Sequence, residues 1–145
     1  MTRGADGSQQ PVQPLKLVHI PKSGLTIPPA QSSGMQRLEA ISGSSAGSSK
    51  LWMGESHVAA GTRSADHHHG ESESAIFVVS GHPEFVFLEA GVERRIRTQP
   101  GDYVYVPPFV PHREENPSSD EEAVVVLARS TQQAIVVNLP SLSGE

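Results

Sequence analysis

The stretch that decides how this chain folds runs from Ser64 to Phe85, SADHHHGESESAIFVVSGHPEF. It sets three consecutive histidines, His67, His68 and His69, just ahead of an apolar run. A histidine run can be an expression tag, a metal-binding tract or a solvated turn. A tag belongs at a terminus, and this run lies mid-chain between segments of strand composition, so the tag reading is poor. On a strand, alternate side chains share a face. His67 and His69 then point one way and His68 the other. Two imidazoles two positions apart can grip one ion, and Glu73, beyond a tight turn at Gly70, offers a carboxylate as a third ligand.

On either side of this stretch the chain breaks into short segments: LKLVHI, GLTIPP, GMQRLEAI, LWMGESHVAA, PEFVFLEA, VERRIRTQ, DYVYVPP, AVVVLARS and AIVVNLP. Gly, Pro, Ser or Asn stand between them, as at strand boundaries. None carries a long apolar stripe at helical spacing. In EFVFLEAGVERRIR, Phe85, Phe87 and Glu89 fall on one face, Val86 and Leu88 fall on the other, and Glu-Ala-Gly-Val reads as a hairpin turn. SGSSAGSSK is a flexible loop by composition. About ten short strands with frequent turn signals predict an all-β fold, an antiparallel sandwich or barrel.

The chain has 145 residues, enough for one domain with a real core. Residues 1–14 are rich in Gly, Gln, Ser and Pro and are expected to be disordered, leaving 15–145 as the folded domain. Hydrophobic residues at 36% and charged residues at 19% suit a soluble globular protein. The net charge of -5 gives no long-range attraction for nucleic acid or an anionic membrane. No apolar stretch approaches bilayer length, and MTRGADGSQQPVQP lacks the apolar core of a secretory signal. A cytoplasmic location is expected. The absence of cysteine excludes disulfides, a thiolate nucleophile and Cys-containing zinc sites, so any metal must be held by His and carboxylate ligands.

A further ligand can come from PGDYVYVPPFVPHREEN, where His112 follows a turn framed by Pro107, Pro108 and Pro111. Proline stiffens such a turn and lowers the entropy lost in holding the side chain in place. His19, His57 and His82 read as ordinary structural or solvated histidines. Arg94, Arg95 and Arg97 read as a solvated strand face, and Asp120, Glu121 and Glu122 as a solvated turn.

These residues carry a family resemblance. Gly61, five residues, His67-x-His69, three residues, Glu73, seven residues and Gly81 resemble the first cupin motif, in which six residues separate Glu from Gly. Gly101, five residues, Pro107-x-Phe109, two residues, His112, three residues and Asn116 resemble the second, with Phe109 where that motif has glycine. The extra residue before Gly81 leaves two alignments. Counting back from Gly81 puts Ser74 in the ligand place, whereas a bulge would restore Glu73; Glu71 is a weaker substitute.

The resemblance covers Leu51 to about Leu139 and implies an antiparallel jelly-roll β-barrel, a small single-domain cupin. It implies one divalent transition metal ion per chain (Mn, Fe, Co, Ni, Cu or Zn), held by His67, His69 and His112 with Glu73 as fourth ligand. Such a donor set does not discriminate strongly among these metals. The implied function is a metal-dependent enzyme acting on a small organic molecule, of dioxygenase, isomerase, lyase or cyclase type. The alternative is a non-catalytic module that binds or senses a small molecule. A homodimer is expected, because small cupins pair through strands near their termini and Leu15 to Ile20 is an apolar segment able to cover a neighbouring sheet edge.

Overall fold

Segments that alternate apolar and polar side chains can bury one face and wet the other, and from Met35 onward the chain uses this to build two sheets. The computed structural model describes residues 16–29 and 31–145. The first sheet contains β1 (Met35–Ile41), β2 (Trp52–Val58), β4 (Ser74–Ser80), β7 (Tyr103–Val106) and β9 (Ala123–Arg129), in the order β1-β2-β9-β4-β7. The second contains β3 (His67–His68), β5 (Glu84–Glu89), β6 (Val92–Arg97), β8 (His112–Glu115) and β10 (Val137–Asn138), in the order β10-β3-β8-β5-β6. Every pairing is antiparallel. From β2 onward the chain crosses repeatedly between the sheets, which is the jelly-roll arrangement expected from the sequence.

The inner face of the first sheet holds most of the core. Val58, Val78 and Val125 are at most 1% exposed. Each such valine stabilises the fold by roughly 1.5–2 kcal/mol through apolar burial. Met35, Val58 and Ala123, adjacent in register on β1, β2 and β9, form a dry cluster at one end of that sheet. Asn116, buried just after β8, locks this end: its amide nitrogen donates to the carbonyls of Val58 and Glu121, and its amide oxygen accepts from the Ser118 N–H. Toward the other end the space between the sheets opens into a cavity.

The β5–β6 hairpin turns on Ala90 and Gly91, with φ of 50° and 79°, as a two-residue loop of right-twisted strands requires. Elsewhere composition misled. Residues 16–20 of LKLVHI form no strand, and Leu17 is wholly exposed, because an apolar run without an edge to pair with gains nothing from extension. The segment 1–14 lies outside the described residues. GLTIPP makes only a bridge from Thr26 to Glu39, since Pro28 and Pro29 cannot donate to a ladder. SGSSAGSSK holds a short helix, α1 (Gly43–Ala46), started by a capping box between Ser42 and Ser45. A three-residue 3-10 turn at Lys22–Gly24 is the other helical element among the described residues.

Phe109 occupies the turn position where the second motif has glycine, and its backbone is left-handed at φ 62°. The turn therefore keeps the glycine conformation, and the ring is displaced to solvent, 62% exposed. A left-handed non-glycine residue costs about 1–2 kcal/mol, partly offset by its lower unfolded-state entropy. Phe109→Gly should therefore raise the free energy of unfolding by about 0.5–1 kcal/mol in urea titrations. No gain would show that the turn carries no strain.

Candidate metal centre

The β3–β8 pair creates the site. His67 and His112 are directly opposed across it, and His69 follows two positions beyond His67 on the same face. The ring centroids lie 4.5 Å apart for His67 and His112, 4.8 Å for His67 and His69, and 5.0 Å for His69 and His112. One ring nitrogen from each lies within 4.8 Å of the other two. His68 points away, as alternation requires: its Nδ1 accepts from the Gly70 N–H at 2.9 Å, and its ring lies 5.9 Å from that of Phe109.

Each of the three imidazoles is anchored through Nδ1 to a backbone carbonyl. His67 meets Ala65 at 2.7 Å, His112 meets Val110 at 3.0 Å, and His69 meets Ile135 at 2.8 Å. A carbonyl only accepts, so Nδ1 carries the hydrogen and Nε2 is left with its lone pair free. Burial pushes the pKa of His69 and His112 down to about 4 and lowers that of His67, outweighing the carbonyl bonds that pull the other way. The three rings are therefore neutral at neutral pH. Three neutral imidazole nitrogens held at this spacing fit a divalent first-row transition ion, leaving positions for water or a ligand.

The structure does not bring Glu73 to these imidazoles. Ser74, Ile76 and Val78 face inward on β4, which puts Glu73 on the outer side, where its carboxylate accepts from the Tyr105 hydroxyl at 2.9 Å. The register of β4 against β9 is unbroken from Ser74 to Val78 and shifts only between Val78 and Ser80, too late to turn Glu73 inward. Ser74 stands where the motif count from Gly81 puts the ligand.

The imidazoles line a cavity of about 500 Å³ between the sheets. Besides Arg63 at the rim, three charged residues of its wall escape the motif reading: Arg37, Arg129 and Glu114. Each alternates with inward residues (Arg37 with Met35, Arg129 with Leu127, Glu114 with His112), and that phase was the available signal. Glu114 keeps some surface toward the cavity, yet its Oε1 is shut off and has no hydrogen-bond partner. Burial raises its pKa to about 7, against a smaller opposing pull from Arg37.

Two opposite pH effects follow for the metal-free protein. The histidines have depressed folded pKa values, so their stabilisation is complete above pH 6.5 and is lost as pH falls toward about 4. Glu114 has a raised folded pKa, so stability is lost as pH rises from 4.5 through about 7. Glu114→Gln cannot ionise. Its unfolding free energy relative to the parent should climb between these limits, by up to about 3 kcal/mol. A difference independent of pH in denaturant titrations would refute the assignment.

Comparison with known proteins agrees with the fold. The cupin domain model matches residues 54–128, more than half of the chain. Among solved structures, the formate complex of Lactobacillus farciminis oxalate decarboxylase is 20% identical, with 78% of this chain and 33% of that one covered at a TM-score of 0.65. Bacillus subtilis oxalate decarboxylase, studied for its Mn(II) centres, is 27% identical over 77% of this chain and 29% of that one, at 0.64. A recombinant oxalate oxidase in complex with glycolate is 17% identical over 75% and 57%, at 0.63. The chain spans about a third of the length of the decarboxylases it resembles. No curated protein matches it in sequence. No helix among the described residues is long and apolar enough to cross a membrane. With both motifs on one jelly roll and the family model spanning its central strands, the chain belongs to the cupin family.

Proposed function

We propose that this cupin binds one divalent transition metal ion per chain through His67, His69 and His112 and acts as a metal-dependent enzyme on a small organic molecule in the cavity. The observation that carries the reading is the set of three imidazoles, each pinned at Nδ1 with Nε2 free, facing one cavity. The bound ion would supply Lewis-acid or redox chemistry, according to its identity. The apolar part of the wall (Ile76, Phe85, Val106, Leu127) lowers the local dielectric and strengthens electrostatic effects on a bound ligand. The Mn(II) centres of the Bacillus subtilis relative favour manganese among the candidate metals.

A second reading, a non-catalytic module that binds or senses a small molecule, is favoured by one feature. Serine stands at the motif's carboxylate place, so the protein leaves more of the coordination sphere to exogenous groups. Turnover of bound organic ligand by the metal-loaded protein separates the two. We further take the chain to be cytoplasmic and a homodimer, the dimer supported by Leu17 and Val18, apolar residues left exposed on one chain. Light scattering should give twice the chain mass, and a monomer at micromolar concentration would end that reading.

Metal content of protein purified without added metal tests the centre. One ion per chain is expected in the parent. His67→Ala and His112→Ala should lose stoichiometric binding, whereas His68→Ala and Glu73→Ala should keep it. Full occupancy in both His67→Ala and His112→Ala would sink the site.

A further inference from the structure

The arginines of the described residues fall into two groups. Arg94, Arg95, Arg97 and Arg113 each pair with a carboxylate, and none of them lines the cavity. Arg37, Arg63 and Arg129 have no ion-pair partner among the described residues, and all three line it. Arg63 is exposed at the rim, but Arg37 and Arg129 project from the inner face of the first sheet. Charged groups turned into a sandwich interior without a partner are costly, so their retention there asks for an anion from outside the chain.

The two guanidiniums are held differently. Arg129 lies over the Trp52 ring at 4.0 Å, and its Nε and Nη2 donate to the carbonyls of Thr131 and Gln132 at 2.9 and 2.7 Å. That leaves it rigid, with the Glu39 carboxylate acting on its charge from a distance and no carboxylate in direct contact. Arg37, opposite Ser56 in the β1–β2 register, donates through Nη1 only to the Ser32 hydroxyl at 3.3 Å. Both guanidiniums and the three imidazoles line the same cavity, the arginines from the first sheet and the histidines from the β3–β8 side. Glu114 forms no ion pair with Arg37. Glu39, which takes the Trp52 Nε1 hydrogen bond and acts on Arg129 only at longer range, forms none either, so two carboxyls stand against three guanidiniums. Beside several serines, the wall has an apolar part in Ile76, Phe85, Val106, Leu127 and Ile135. The volume of about 500 Å³ leaves room for a body of several carbon atoms beyond an acid group.

We infer that the cavity takes an organic oxyanion with an apolar body, its anionic group held by Arg37 and Arg129 on one sheet opposite the three imidazoles on the other. This deepens the proposed function and rests on its reading of the cavity as the substrate site. The chemistry is shared by carboxylic acids and phosphate monoesters, since a guanidinium meets either with paired N–H donors.

Calorimetric titration of the manganese-loaded protein with hexanoate, hexanamide and hexyl phosphate tests it. The charged probes should bind at least about 10-fold more tightly than the amide of the same shape. Whichever of hexanoate and hexyl phosphate binds more tightly identifies the source of the oxyanion. Arg37→Gln should remove most of the preference for charge at unchanged metal content, and Arg129→Lys should weaken it, with circular dichroism confirming the fold. Equal binding of hexanoate, hexyl phosphate and hexanamide, no binding of either acid, or an undiminished preference in both variants overturns the inference. Metal content of the same samples keeps the two readings apart. Metal retained without a charge preference sinks this inference alone, and a charge preference in protein that takes up no metal sinks the metal reading alone.

Discussion

The site depends on three hydrogen bonds from imidazole Nδ1 to backbone carbonyls. Without them each ring could rotate, and its tautomer would be free; with them the hydrogen is fixed on one nitrogen and the lone pair on the other. Two of the three acceptors, Ala65 and Val110, lie two residues before the histidine they hold. The same local device thus serves both motifs. The third acceptor, Ile135, lies beyond β9, so His69 is pinned only once the chain has run past the first sheet's last strand. Ligand orientation is in this sense a property of the closed sandwich.

The sandwich is uneven by construction. At one end Met35, Val58 and Ala123 pack dry, and Asn116 satisfies the backbone groups that loop closure would strand. Toward the other end the inner faces carry imidazoles, two guanidiniums and a carboxyl, groups that disfavour burial unless they meet partners. The apolar end and the outer ion pairs around Arg95 and Arg113 compensate for this. The depressed histidine pKa values and the raised value of Glu114 are two expressions of the same cavity. Desolvation favours the neutral form of a base and of an acid alike.

Glu73 and Phe109 show how a motif can be kept in outline and altered in chemistry. The backbone around Phe109 holds the glycine conformation, so the turn that delivers His112 survives the substitution. At Glu73 the strand phase is kept and the residue type is lost, because the inward position one residue later is serine. Turn geometry and strand phase are set by backbone pairing, which tolerates many side chains; a ligand is one atom at one place.

The sequence by itself determined the strands, their alternation and the pairing of His67 with His69, because a period of two is local information. It located His112 through the proline-framed turn and the β5–β6 hairpin through Ala90-Gly91. Whether residues 16–20 would find a sheet edge depended on where other strands ended, and no local pattern carries that. The outward placement of Glu73 required the β4–β9 register, since a bulge is visible only against a partner strand. The gathering of Arg37, Arg129 and Glu114 with the histidines was decided by tertiary structure alone. Each sits on a different strand, and only the stacking of one sheet on the other makes their separate inward phases into one cavity.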